Sequence, residues 1–146
     1  MSINLPRRSI LKFLVATLIA LFSLSSFAQE CASSLSQLRN LVGNPSLSTV
    51  WVEAAPKTGG PVTVRINGAG SLNISIEKVG DGLWMSGPAT ICKRGANYVA
   101  NIGRGVTYGP RAPFGLNAVR SINIRLPYQS QMIVSAMGKS FTLNGR

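Results

Sequence analysis

The sequence predicts a mostly β domain, either an antiparallel β-sandwich or an up-and-down barrel of about eight strands, with one short N-terminal helix and one disulfide. Three observations predict it. From residue 49 onward apolar and polar residues alternate, glycine- and asparagine-rich turns separate the alternating runs, and the chain has two cysteines. Turns this short join antiparallel strands, because a parallel crossover needs a dozen or more residues.

The strands are predicted from apolar residues at every second position, the period of a half-buried strand. The alternation is clearest at residues 62–66, 72–77 and 122–126, and shorter runs occur at 50–53, 83–85, 90–93, 98–102, 132–136 and 140–143. Turn residues occupy positions 57–60, 67–70, 80–82, 94–97 and 138–139. Glycine and asparagine supply the positive φ that hairpin turns require, so these segments are predicted to be tight connections.

A helix is predicted at residues 33–43, where the apolar residues are spaced for one helical face. They are Leu35, Leu38, Leu41 and Val42. A serine precedes the run and Gly43 follows it, as helix start and stop signals do. We expect the leucines to contact the core, with Cys31 tying the start of the helix to the rest of the fold. The first tryptophan, Trp51, is also expected in the core, because large aromatic side chains dominate core energetics.

Residues 1–28 are predicted to be a signal peptide. Three basic residues precede an uncharged apolar run at 13–22, and small residues at Ser26 and Ala28 suit cleavage after Ala28. The apolar run is shorter than the ~20 residues that span a bilayer, so no transmembrane segment is expected after processing. Residues 29–146 then form a single β-rich domain, periplasmic or secreted.

The leader also resembles a twin-arginine export signal at residues 7–12, where an arginine pair precedes a hydrophobic dipeptide and a lysine. The general secretory route remains the alternative. Either route leads to an oxidising compartment, where an even number of cysteines indicates a disulfide, here Cys31–Cys92. A loop of about 60 residues closed in this way contributes ~4 kcal/mol in the chain-entropy model.

The net charge is strongly positive, with 15 basic and four acidic residues giving +11. The predicted leader contains three of the basic residues, which leaves +8 on the mature chain. This charge favours polyanionic partners such as phosphorylated lipids, lipopolysaccharide or anionic glycans. Nucleic acid fits the charge as well but is not favoured. The alternative is that the charge only keeps a small exported domain soluble.

The residue types weigh against catalysis and against metal binding. The chain has no histidine, and its carboxylates number four. Histidine is the commonest general base and metal ligand, and two cysteines without histidine make a metal site unfavourable. No cofactor motif is present: Gly103-Arg-Gly105 lacks the lysine and the following helix of a phosphate-binding loop. A hydrolase using Glu53 and Glu77 is the less favoured alternative.

Recognition is therefore the expected activity. The irregular segment 103–117 is long for a compact domain and rich in glycine, proline and arginine, as functional loops often are. The candidate ligand-binding residues are cationic or aromatic and lie in this loop, on polar strand faces or after a turn. They are Arg65, Trp84, Arg104, Tyr108, Arg111, Phe114 and Arg125. Arginine binds phosphate or carboxylate through two parallel hydrogen bonds, and aromatic rings stack on sugars or cover acyl chains.

Two classes of function remain open from the sequence. The first is a non-enzymatic binding protein for an anionic envelope component, whether a lipid, a lipopolysaccharide or a glycan. The second is a protein-interaction module, such as an inhibitor or an envelope assembly factor. A barrel with an empty apolar interior would favour lipid binding, whereas a filled sandwich with a flat polar face would favour a glycan or a protein partner.

Overall fold

The computed structural model describes residues 29–68 and 70–146. The predicted signal peptide and its cleavage site lie outside the described residues. Within the described ranges the chain is mostly β, as predicted, with one α-helix and a Cys31–Cys92 disulfide. The elements in chain order are β1 Cys31–Ala32, α1 Leu35–Val42, β2 Val50–Glu53, β3 Val62–Asn67, β4 Asn73–Lys78, β5 Gly82–Arg94, β6 Asn97–Ile102, β7 Thr107–Tyr108, a 3-10 helix Leu116–Ala118, β8 Ser121–Tyr128, β9 Gln131–Ala136 and β10 Lys139–Gly145.

Eight of the strands close into an up-and-down antiparallel barrel. Around the barrel the order is β2, β3, β4, β5, β6, β8, β9 and β10, and β10 pairs with β2 to complete the ring. Each barrel strand therefore lies beside the barrel strand that follows it in sequence, including β6 and β8, which are joined by the long segment 103–120 and not by a short turn. The short strands β1 and β7 both pair with β5 outside this path. Of the two predicted architectures, the barrel is the one that forms.

One strand prediction was wrong: the runs at 83–85 and 90–93 are parts of the single strand β5. Gly87 and Pro88 interrupt the alternation between them. Gly87 is needed because a side chain there would overlap Val106. The strand changes partners near this point: its first half pairs with β4 and β7, and its second half with β1 and β6. Tertiary pairing thus extends a strand across residues that disfavour one locally.

The barrel interior is filled by apolar side chains at alternate strand positions. Trp51 is fully buried, as predicted, and its Nε1 donates a hydrogen bond to the carbonyl oxygen of Ser48 at 2.9 Å. On β3 the apolar residues Val62, Val64 and Ile66 are buried, whereas Arg65 between them is partly exposed. This pattern gives a continuous core within a single layer of strands.

Helix α1 closes one end of the barrel, which we call the closed end. Ser34 Oγ accepts a hydrogen bond from the Gln37 N–H at 3.3 Å at the start of the helix, and Gly43 ends it with φ 73°. Leu38 is buried, and with Leu47 it packs over the barrel interior around a residual cavity of about 10 Å³. The disulfide fixes β1, just before the helix, to β5. No helix in 29–68 or 70–146 is long and apolar enough to cross a membrane.

Candidate functional site

The opposite end of the barrel, the open end, holds the strongest candidate site. There β2, β4 and β9 finish and β3, β5 and β10 begin. A cleft of about 510 Å³ lies among these strand ends. We call this cleft the mouth. Its lining includes Glu53, Lys57, Lys78, Trp84, Lys139 and Phe141.

Three lysines and one carboxylate, that of Glu53, line the mouth, which gives it a net positive charge. Among the described residues the sole ion pair within 4 Å joins Arg65 to Glu77, on the outer wall. The carboxylates in and beside the mouth accept hydrogen bonds from groups other than the lysines. Glu53 Oε2 accepts a hydrogen bond from the Val62 N–H at 3.0 Å, and Asp81 Oδ2 accepts one from Trp84 Nε1 at 3.1 Å. The lysine ammonium groups are therefore available to an anionic ligand.

Two aromatic rings lie beside the lysines. Trp84 and Phe141 meet edge to face, with ring centroids 6.2 Å apart and planes at 61°. Lys78 Nζ lies 5.9 Å from the centroid of the Trp84 ring, within the range of a cation–π contact. Trp84 is held further by its hydrogen bond to Asp81. The aromatic pair is thus fixed in place by neighbouring strands, which favours binding without a large ordering cost.

Below the mouth lies a small apolar cavity of about 50 Å³, lined by residues such as Val64, Ile76 and Val134. A cavity of this size holds a few water molecules or a small apolar group. It is too small for an acyl chain of a membrane lipid. The barrel is therefore filled, and its interior has no room for a long apolar ligand.

The 103–117 loop folds over the open end and is tied down at several points. The Gly109 N–H donates to the Trp84 carbonyl oxygen at 3.1 Å, and Arg111 Nη1 donates to the Gly80 carbonyl oxygen at 3.1 Å. Position 109 requires glycine, since a side chain there would overlap the carbonyl oxygen of Leu83. Farther along, Pro113 borders both the mouth and the cavity below it. The loop is thus an ordered wall of the site.

The structure places the candidate ligand-binding residues in different regions of the barrel. Trp84 borders the mouth but is 8% exposed and packs in the core, and Arg111 and Phe114 are exposed on the loop beside it. Arg104 and Tyr108 line a separate cleft of about 550 Å³, together with Arg120.

The remaining two candidates, Arg65 and Arg125, lie on the outer wall. Arg65 is on β3 and Arg125 on β8, which are four strands apart in the ring of eight and therefore on opposite sides of the barrel. Arg65 Nη2 is 3.3 Å from Glu77 Oε1. The structure brings neither arginine to the mouth.

Sequence reasoning missed Lys57, Lys78, Lys139 and Phe141, which share the mouth with Trp84. The order of the turns in the sequence could have identified these lysines. In an up-and-down barrel every second turn lies at the same end, so the β2–β3, β4–β5 and β9–β10 turns must meet. Each of the three lysines lies in or next to one of these turns.

No group of three or more potential metal ligands among histidine, cysteine, aspartate and glutamate occurs in the described part of the chain. Comparison with protein-family models, with curated proteins and with solved structures found no match.

Proposed function

We propose that this chain is a non-enzymatic, exported binding protein that takes an anionic component of the cell envelope at the mouth of its barrel. One observation carries the proposal: three lysines, none of them in an ion pair with a described residue, line the same cleft as the Trp84–Phe141 pair. The disulfide supports export, because such bonds persist in oxidising compartments.

The geometry defines the chemistry of the ligand. Its phosphate or carboxylate group lies among Lys57, Lys78 and Lys139, where the attraction is electrostatic and weakened by salt. A sugar ring or the first carbons of a lipid cover the half-buried Phe141 ring and the small part of Trp84, 8% of its surface, that the core leaves exposed. The small cavity below admits no long chain, so the headgroup or glycan unit is the part recognised.

Isothermal titration calorimetry tests the proposal with two anionic probes and their uncharged or zwitterionic counterparts. One probe is dihexanoylphosphatidylglycerol kept below its micellar concentration, compared with dihexanoylphosphatidylcholine. The other is a galacturonate oligosaccharide, compared with the neutral galactose oligosaccharide. We expect one anionic probe to bind, its counterpart to bind at least several-fold more weakly, and the affinity to fall with added salt. If neither anionic probe binds, the proposal is wrong.

A matched pair of triple variants locates the site. Lys57→Gln, Lys78→Gln and Lys139→Gln together remove three charges from the mouth. Lys93→Gln, Arg94→Gln and Arg125→Gln remove three charges away from the open end, so the two variants have the same net charge. At about 0.5 kcal/mol for each exposed charge contact, the first variant loses about tenfold in affinity. The second changes affinity less than about threefold, and the reverse result would move the site away from the mouth.

A further inference from the structure

We infer that the open end docks on the surface of an anionic lipid bilayer, with Phe114 and Met137 inserted among the lipids. This inference rests on the proposed function and names the source of its ligand: the headgroup is bound while its lipid remains in the membrane.

Exposed apolar side chains are concentrated around the mouth. Four large hydrophobic residues are exposed in 29–68 and 70–146, and three of them belong to turns or loops of the open end. These three are Val79, in the β4–β5 turn, Phe114, in the 103–117 loop, and Met137, in the β9–β10 turn. The relative exposure of Phe114 is 105%, so nothing in the fold covers it. Exposed apolar groups gathered at one place indicate an interaction surface.

The backbone of Met137 adopts a conformation that is unfavourable for a residue with a side chain. Met137 has φ 52° and is the one non-glycine residue with positive φ among those described. It begins a two-residue turn, in which asparagine is the favoured residue and a longer apolar side chain is disfavoured. Strained backbone of this kind is found at functional positions. A turn built for stability alone would have asparagine here, so the exposed methionine favours a role in contact.

The charges around these apolar residues favour a membrane over other partners. Lys57, Lys78 and Lys139 border the mouth without ion-pair partners in the described part of the chain. Apolar side chains that insert at the headgroup level, next to lysines that attract anionic lipids, are the combination used by proteins that bind membrane surfaces. A second copy meeting this end would bring two sets of lysines together, which opposes dimer formation through the open end.

Co-sedimentation with vesicles of mixed phosphatidylcholine and phosphatidylglycerol tests the inference. We expect the protein to bind these vesicles and not vesicles of phosphatidylcholine alone. The double variant Phe114→Ser and Met137→Asn loses tenfold or more in vesicle affinity, because it removes the inserting apolar surface. The control is Tyr128→Ser, which removes an exposed aromatic ring at the closed end and leaves vesicle affinity within about twofold. Equal binding by the double variant and the wild type would overturn the inference.

Four further results separate this inference from its alternatives. Met137→Asn alone is expected to raise the denaturation midpoint while lowering vesicle affinity, a combination that a purely structural methionine would not give. Phe114→Trp is expected to show more quenching by brominated lipids than the wild type, whose own tryptophans are Trp51 and Trp84. A concentration-dependent dimer that the double variant abolishes would replace the membrane by a second copy. If the phosphatidylglycerol or galacturonate probe binds in solution but vesicles do not, the membrane inference fails and the proposed function stands.

Discussion

The two ends of the barrel are built in opposite ways. At the closed end, α1 and the disulfide cover the barrel: the space left beneath Leu38 and Leu47 is about 10 Å³, and the surface cleft beside the helix, about 440 Å³, is lined by uncharged residues. At the open end a cleft of about 510 Å³ remains, and exposed charged and apolar groups border it. The same up-and-down topology produces both ends, so the difference comes from what the connections contain.

We interpret this difference as a separation of stability from the proposed recognition. The closed end has apolar contacts, the disulfide and hydrogen bonds such as that from Arg39 Nη2 to the Leu47 carbonyl oxygen at 3.0 Å, and these stabilise the fold whether or not a ligand is present. The mouth places Lys57, Lys78 and Lys139 together with one carboxylate, Glu53, which contributes little to folding and leaves a net positive charge for the proposed anionic partner. Substitutions at the closed end should therefore change the free energy of unfolding, and substitutions at the open end should mainly change binding.

The largest expected effect is the loss of the disulfide. Replacing both Cys31 and Cys92 by alanine opens a bond between residues 61 positions apart, which lowers the free energy of unfolding by about 4 kcal/mol in the chain-entropy model. Urea denaturation followed by circular dichroism measures the change. Where the variant is folded, its affinity for the anionic probe should stay within about twofold of the wild type. A large loss of affinity with little loss of stability would mean that the two ends are not independent.

The next effect compares one buried and one exposed side chain. Leu38→Ala removes a side chain that is 3% exposed and leaves a cavity between α1 and the barrel, at a cost of about 3 kcal/mol. Phe114→Ala at the open end changes the free energy of unfolding by less than about 0.5 kcal/mol. Both are measured by urea denaturation. Comparable losses in the two variants would show that the loop stabilises the barrel as much as the helix does.

The sequence was sufficient to predict most of the fold because local patterns determine it. Alternation and tight turns at positions such as 80–82 and 138–139 predict antiparallel neighbours, and the leucine spacing predicts α1. Closure of the sheet was not predictable, because it depends on pairing between β2 and β10, the first and last strands of the barrel in sequence. The β5 error has another origin: Ile74 and Asn73 of the preceding strand β4 pair with Gly87 and Pro88, which keeps the chain extended across residues that disfavour a strand locally.

The candidate site was less accessible to prediction. Trp84 and the 103–117 loop stood out by composition, and the structure places both at the open end. Arg65 and Arg125 looked equivalent to them in sequence but lie on opposite sides of the outer wall. The mouth lysines are far apart in sequence, and only the pairing of strands around the ring brings Lys57, Lys78 and Lys139 to one cleft.

The smallest expected effect concerns Asp81, which links both properties at the open end. Asp81→Ala removes the acceptor of the Trp84 indole N–H and lowers the free energy of unfolding by about 1 kcal/mol. Asp81→Asn keeps a side-chain oxygen as acceptor and a residue that suits the turn, so the loss is below about 0.5 kcal/mol.

The two variants differ in their expected binding as well. Asp81→Asn removes a negative charge from the open end and keeps the Trp84 ring in place, so affinity for the anionic probe rises about twofold, as expected for one exposed charge contact. Asp81→Ala removes the same charge but frees the ring, and its gain should be smaller or absent. Calorimetry with each variant measures the difference. Equal gains would show that the charge of the mouth acts without the fixed aromatic pair, and a loss in Asp81→Asn would show that the lysines do not contact the anion.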